Sequence, residues 1–175
     1  VHIYHMLLEP EEEQHFQLFK TALLQHGQQF QLLEIQFLYF LAINYGIQRV
    51  NSGDTSYFRD ILDFYQEGLN QGYILKNGRL SRFTYHNIVS VALQINEVDW
   101  AETFIEDWTP KLNRRYQERM YSFNQAKIAY HRKEYDTAIA QLQRSNYHDV
   151  LLNLGARTLL VKIYFEVEAF DALHS

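Results

Sequence analysis

The chain has 175 residues, enough for one domain or one stretch of a helical repeat array. Hydrophobic residues make up 47% of it and charged residues 21%, a composition that excludes intrinsic disorder. The chain has no Cys, which excludes disulfides, thiolate zinc sites and Cys nucleophiles. Its net charge of −5 argues against a general electrostatic attraction to nucleic acid or to an anionic membrane.

Residues that start and stop helices predict a series of helices joined by short turns. Pro10 and the three acidic residues after it favour a helix start, and Gly27 favours its end. Asn77-Gly78 marks a turn in the longest predicted loop. The later helices are predicted at about residues 28–51, 54–72, 81–96, 99–108, within 113–132, within 135–144, at 149–168 and from 170. We therefore predict an all-α fold of nine helices.

An internal repeat supports this prediction. Ala101, Ala138 and Leu173 occupy matched positions, so the spacing is 37 residues and then 35. The segment 121–142, YSFNQAKIAYHRKEYDTAIAQL, resembles the tetratricopeptide (TPR) repeat, a hairpin of two antiparallel helices. The resemblance implies one TPR-like domain over 1–175, a right-handed α-solenoid of about four hairpins. These repeats fall at about residues 28–72, 81–108, 113–145 and 149–175.

Residues 35–175 are also similar to uncharacterised helical-repeat proteins from Bacteroidetes. The segments that carry this similarity are INYGIQRVNSG, NIVSVALQINEVDWAETFIEDW and DVLLNLGARTLLVKIYFE. The similarity implies a fold and no activity. Because the chain begins at Val1 and its last residues resemble the start of a helix, we expect a fragment of a longer protein. Nothing in view resembles a signal peptide, and we expect a cytoplasmic protein.

No catalytic motif is visible in the chain. It contains no H-E-x-x-H, no G-x-S-x-G and no glycine-rich phosphate loop. His2 and His5 have a spacing that can hold a metal on a helix, but no further ligand pattern accompanies them. We therefore predict no metal, no cofactor and no enzymatic activity.

One basic cluster is present, and it has two interpretations. Lys111, Arg114, Arg115 and Arg119 lie close together with Tyr116 among them. Such a cluster could meet RNA or an acidic partner. A solvated helix start is the favoured interpretation, because the chain as a whole is acidic. We predict no nucleic-acid partner and no membrane partner.

The repeat register predicts a groove lined by the first helix of each hairpin. In a TPR-like array, such a groove binds a peptide or a protein partner. The residues predicted to line it are His86, Asn87, Phe123, Asn124, Lys127, Tyr130, His131 and Lys162. Asn87 and Asn124 share one repeat position, from which an amide can hold a peptide backbone. The alternative is that these polar groups only solvate the groove.

Two functions follow from this interpretation of the chain. The first is a non-catalytic protein–protein interaction or scaffold module. The alternative is a regulatory or substrate-docking part of a longer enzyme or transcription regulator. The known carboxylate clamp of chaperone-binding TPR domains needs further basic and amide residues. His86, Ser90, Gly155 and Leu159 stand at those positions, so the clamp is not predicted.

Overall fold

The computed structural model describes residues 13–144 and 150–174. Within these ranges the fold is entirely helical, and the only β-type pairing is an isolated bridge between Lys76 and Arg79. The α-helices are α1 (Glu13–His26), α2 (Leu32–Asn51), α3 (Tyr57–Asn70), α4 (Arg82–Gln94), α5 (Val98–Trp108), α6 (Gln117–His131), α7 (Tyr135–Arg144) and α8 (Val150–His174). The predicted all-α class is confirmed. None of the described helices combines the length and the apolar composition needed to cross a membrane.

Local chemistry explains where these helices begin and end. Ser81 precedes α4, and its hydroxyl accepts a hydrogen bond from the backbone N–H of Phe83 (3.3 Å). Asn77 and Gly78 both have positive φ angles, 52° and 71°, as the predicted turn requires. Such caps and turns affect only the backbone of residues close in sequence, so they can be predicted from the sequence alone.

The predicted ninth helix is not a separate helix. α8 continues without a break through Phe170, where the sequence analysis expected a new helix to begin. Neither Gly nor Pro occurs after Gly155, so no strong helix breaker separates the two predicted segments. The predicted hairpin at 149–175 is therefore wrong, because one continuous helix runs over Val150–His174.

The chain divides into two compact units, and the boundary lies between Leu75 and Lys76. The single domain over 1–175 that was expected from the sequence is therefore divided. In the first unit, α1, α2 and α3 share an aromatic core centred on Phe16. Its ring lies 5.1 Å from that of Tyr45 and 5.0 Å from that of Tyr57. The interaction of these rings adds to the hydrophobic free energy that their burial supplies.

α2 and α3 approach each other closely at Gly46. A Cβ atom at this position would lie 2.6 Å from Cγ1 of Ile61, closer than two carbon atoms can pack. α1 is joined to α3 by Lys20, whose ammonium lies 2.6 Å from Asp60 and 2.5 Å from Asp63. The first unit thus combines an apolar core with an ion-pair cluster between two of its helices.

The second unit contains α4 to α8. Each helix packs against the next, and α6 also contacts both α4 and α8. Ala101 in α5 and Ala138 in α7 are both fully buried, as the sequence analysis predicted. Ala92 in α4 and Ala126 in α6 are fully buried as well. Small side chains at these positions allow neighbouring helices to approach closely.

Candidate functional site

The second unit contains an open cleft of about 390 Å³, lined by side chains of α4, α6 and α8. Its lining residues are His86, Phe123, Lys127, Leu154, Gly155, Thr158, Leu159 and Lys162. Half of the predicted groove residues are therefore brought together here, namely His86, Phe123, Lys127 and Lys162. The sequence analysis also noted Gly155 and Leu159, but only as departures from the carboxylate clamp.

An apolar pocket of about 160 Å³ adjoins this cleft. The two cavities share His86, Phe123 and Gly155. The other residues that line the pocket are Arg82, Phe83, Met120 and Leu152. A Cβ atom on Gly155 would lie 2.9 Å from the ring of Phe123, so glycine leaves room for that ring between the cavities. A glycine in the middle of a helix is the one sequence signal that could have indicated this contact.

His86 is held as a neutral imidazole by the residues around it. Its Nδ1 lies 3.1 Å from Oδ1 of Asn124, and the Asn124 Nδ2 donates to the carbonyl of Met120 (2.7 Å). Because Oδ1 of Asn124 can only accept a hydrogen bond, Nδ1 of His86 carries the proton and Nε2 keeps a lone pair. Burial, with the charge of Lys127, lowers the pKa of His86 to about 4.

Lys127 is half-buried in the cleft and has no described carboxylate as an ion-pair partner. Its Nζ donates a hydrogen bond to Oγ of Ser90 (2.6 Å). The Ser90 hydroxyl in turn donates to the carbonyl of His86 (2.9 Å). Burial, followed by the charge of Lys162, lowers the pKa of Lys127 to about 8. The lowered pKa favours the neutral form of this amine more than in an ordinary lysine.

Asn124 does not line the cleft, where the repeat register predicted it. Its side chain is completely buried, and its amide bonds to His86 and to the Met120 carbonyl. Asn87, at the same repeat position, is exposed. Asn124 lies on α6, which packs against α4. Asn87 lies on α4, and no helix precedes α4 in this unit to cover it in the same way. The Asn124 amide is therefore not exposed to hold a peptide backbone, as was predicted, and it bonds to His86 instead.

Tyr130 and His131 lie outside the lining of both cavities and bond to other elements. The hydroxyl of Tyr130 donates to Glu166 of α8, and that of Tyr135 donates to the same carboxylate (2.7 Å). These hydrogen bonds lower the pKa of Glu166, and the bond to Glu166 raises the pKa of Tyr130 to about 12. Nε2 of His131 lies 3.1 Å from Oδ1 of Asn96. These residues connect helices within the second unit, and the sequence analysis did not identify Glu166.

Tyr116, which lies among the residues of the basic cluster, is in contact with two guanidinium groups. The guanidinium groups of Arg82 and Arg115 each lie 4.5 Å from the ring centre of Tyr116. Arg114 and Arg115 are exposed. The interpretation of this cluster as a solvated helix start stays a prediction.

Within residues 13–144 and 150–174, no group of three or more His, Asp or Glu side chains is placed to hold a metal ion. His2 and His5 lie outside the described residues. Comparison of the chain with family models, with curated proteins and with solved structures returns no match. The resemblance to TPR repeats and to Bacteroidetes helical-repeat proteins stays a prediction.

Proposed function

We propose that the second unit is a non-catalytic interaction module that binds an acidic segment of a partner protein in its cleft. In this proposal the second unit is a repeat array. The pairs α4–α5 and α6–α7 are TPR-like hairpins, and α8 is the first helix of the next repeat. The contacts of α6 with both α4 and α8 support it, because alternate helices pack side by side in such an array. The equivalent burial of Ala101 and Ala138 also supports it.

The observation that carries the proposal is that three alternate helices line one cleft. Stacked helical hairpins form an extended concave surface from their alternate helices, and repeat proteins use that surface to bind partners. His86 comes from α4, Lys127 from α6 and Lys162 from α8. A segment lying in the cleft would therefore contact all three helices.

The chemistry of the cleft favours an acidic segment with apolar neighbours. The amines of Lys127 and Lys162 line a cavity whose other walls include Phe123, Leu154 and Leu159. A carboxylate placed between the amines would gain charge-assisted hydrogen bonds. The apolar walls and the adjoining pocket would remove the neighbouring aliphatic side chains from water. Electrostatic complementarity of this kind steers a partner to the site and selects its register.

A peptide array with one charge-reversal variant tests the proposal. We expect the wild-type protein to retain peptides that place Asp or Glu beside an aliphatic residue. Lys162→Glu should weaken this binding about tenfold, the effect of about 1.4 kcal/mol, because it replaces an attraction with a repulsion. Lys162 is exposed, so the change should leave the fold intact. The binding is measured by fluorescence polarisation of the best peptide from the array.

Lys111→Glu is the matched control, since Lys111 is also exposed and lies outside the cleft. It makes the same change in net charge, so any loss of binding common to both variants is a long-range effect. Equal weakening of peptide binding by the two variants would indicate that the peptide binds outside the cleft. Retention of neutral and basic peptides as well as acidic ones would contradict the proposed charge preference.

A further inference from the structure

Lys127 combines three features that are uncommon for a lysine. Its amine lines an open cleft of about 390 Å³, large enough for a small organic molecule. No described carboxylate neutralises it, and its amine donates a hydrogen bond to the hydroxyl of Ser90. A second amine, that of Lys162, lines the same cleft and raises the positive potential around it.

The hydrogen bonds around Lys127 leave its lone pair available when the amine is neutral. The proton of the Ser90 hydroxyl is directed to the carbonyl of His86, so this hydroxyl accepts from Lys127 and does not donate to it. His86 also lines the cleft, and its Nε2 is the unprotonated nitrogen of the ring. The cleft therefore holds a nucleophile and, on a neighbouring helix, a weak base.

We propose that Lys127 is a site of reversible imine formation with a small aldehyde or ketone that also carries a carboxylate. The carbonyl carbon would be attacked by the Lys127 amine, and the carboxylate would pair with Lys162. This inference goes beyond the proposed function, because it requires no peptide. The low pKa of Lys127 supports it by supplying neutral amine near pH 7.5.

The reaction needs no oxidant and no metal. The nitrogen of Lys127 forms a bond to the carbonyl carbon as the C–O π bond breaks, and one amine proton moves to that oxygen to give a carbinolamine. The carbinolamine then loses its hydroxyl group and the remaining N–H proton, which leave together as one water molecule, and a C=N bond remains. Solvent that reaches the open cleft can accept and return the protons. Addition of water reverses every step.

Reductive trapping with glyoxylate and cyanoborohydride tests the proposal on the intact chain. Cyanoborohydride donates a hydride to the imine carbon and makes the adduct permanent, so peptide mapping by mass spectrometry gives a rate for each lysine. At pH 7.5 an ordinary lysine is neutral in roughly one molecule in 800, and a lysine with a pKa of about 8 in roughly one in four. A less basic amine is also a weaker nucleophile, so we expect Lys127 to react about tenfold faster than exposed Lys111.

Propanal, which has no carboxylate, distinguishes the reactivity of the Lys127 amine from the pairing of a carboxylate with Lys162. In the Lys162→Gln variant, both reagents should react more slowly at Lys127, because loss of the neighbouring charge raises the pKa of its amine. The rate with glyoxylate should fall about fivefold further than the rate with propanal, since only glyoxylate loses an ion pair. The rates at Lys111 should not change in this variant.

Reaction of Lys127 no faster than Lys111 in the wild-type protein would overturn the proposal. An unchanged ratio of the glyoxylate and propanal rates in Lys162→Gln would overturn the preference for a carboxylate. Peptide binding is measured separately, so selective labelling of Lys127 in a protein that binds no acidic peptide would contradict the proposed function alone. Circular dichroism of the variant confirms that it is folded.

Discussion

His86 and Asn124 show how the chemistry of a single residue depends on its packing. Asn87 and Asn124 share a repeat position, yet one is exposed and the other has no exposed surface at all. The buried amide bonds to His86 and thereby sets which ring nitrogen carries the proton. The repeat pattern assigns Asn124 to ligand binding, but in the structure its amide positions the side chain of His86.

The depressed pKa of His86 makes the stability of the second unit pH-dependent. Its folded pKa is about 4, below its ordinary value of 6.5, so the unfolded chain binds the extra proton between these pH values. The stabilisation is complete above pH 6.5 and is lost as the pH falls to 4. We expect His86 to contribute a loss of roughly 1–3 kcal/mol in the free energy of unfolding over this range.

Denaturant unfolding of wild type and His86→Gln at pH 7 and pH 4.5 measures this contribution. Gln keeps a donor for Asn124 and cannot titrate, so the variant should lose less stability on acidification than the wild type. The other histidines and the carboxylates are present in both proteins, and their effects cancel in the comparison. Parallel pH profiles for the two proteins would show that His86 does not titrate as described.

Small residues at helix contacts determine how closely neighbouring elements pack. In the second unit, buried alanines occur on α4, α5, α6 and α7. In the first unit, Gly46 serves the same purpose against Ile61. A residue with a longer side chain at such a contact must displace a neighbouring helix, because protein interiors are close-packed.

Ala138→Leu tests this packing in α7. The added side chain has no space, since Ala138 is fully buried, and we expect a loss of about 1–3 kcal/mol of stability. Thermal unfolding, with denaturant titration for the free energy, measures the loss. Ala140→Leu is the matched control, because Ala140 lies on the same helix and is exposed. Equal stabilities of the two variants would contradict the close contact at Ala138.

At the scale of the whole molecule, the two compact units each have a core of their own. Leu62 is fully buried in the first, and Ile88 is fully buried in the second. Both the cleft and its adjoining pocket belong to the second unit. A unit with its own apolar core can unfold and refold cooperatively.

Hydrogen exchange on paired core variants tests this division. Leu62→Ala and Ile88→Ala each remove a buried aliphatic group and should cost about 2–5 kcal/mol. We expect Leu62→Ala to accelerate amide exchange in α1–α3, and Ile88→Ala to accelerate it in α4–α8, because a destabilised core increases opening of its own unit. Equal acceleration of both units by either variant would indicate that the chain opens as a single structure.

Local signals in the sequence determined the helical class and most helix limits. Ser81 and Asn77-Gly78 act on their own backbone, so their effects can be predicted without knowing what packs nearby. The spacing of small residues likewise predicted the burial of Ala101 and Ala138. These inferences succeeded because a helix cap, a turn and a repeat register involve the chain's own sequence order.

The tertiary structure decided which groove candidates share a cleft, and what each polar group does there. It placed His86, Phe123, Lys127 and Lys162 around one cavity, and buried Asn124 beneath it. The pairing of Tyr130 with Glu166 joins residues 36 positions apart, which no local pattern encodes. Burial and the charge of a neighbour on another helix set the pKa of Lys127. Desolvation and Coulomb interactions depend on distance in space, and only the packed fold determines those distances.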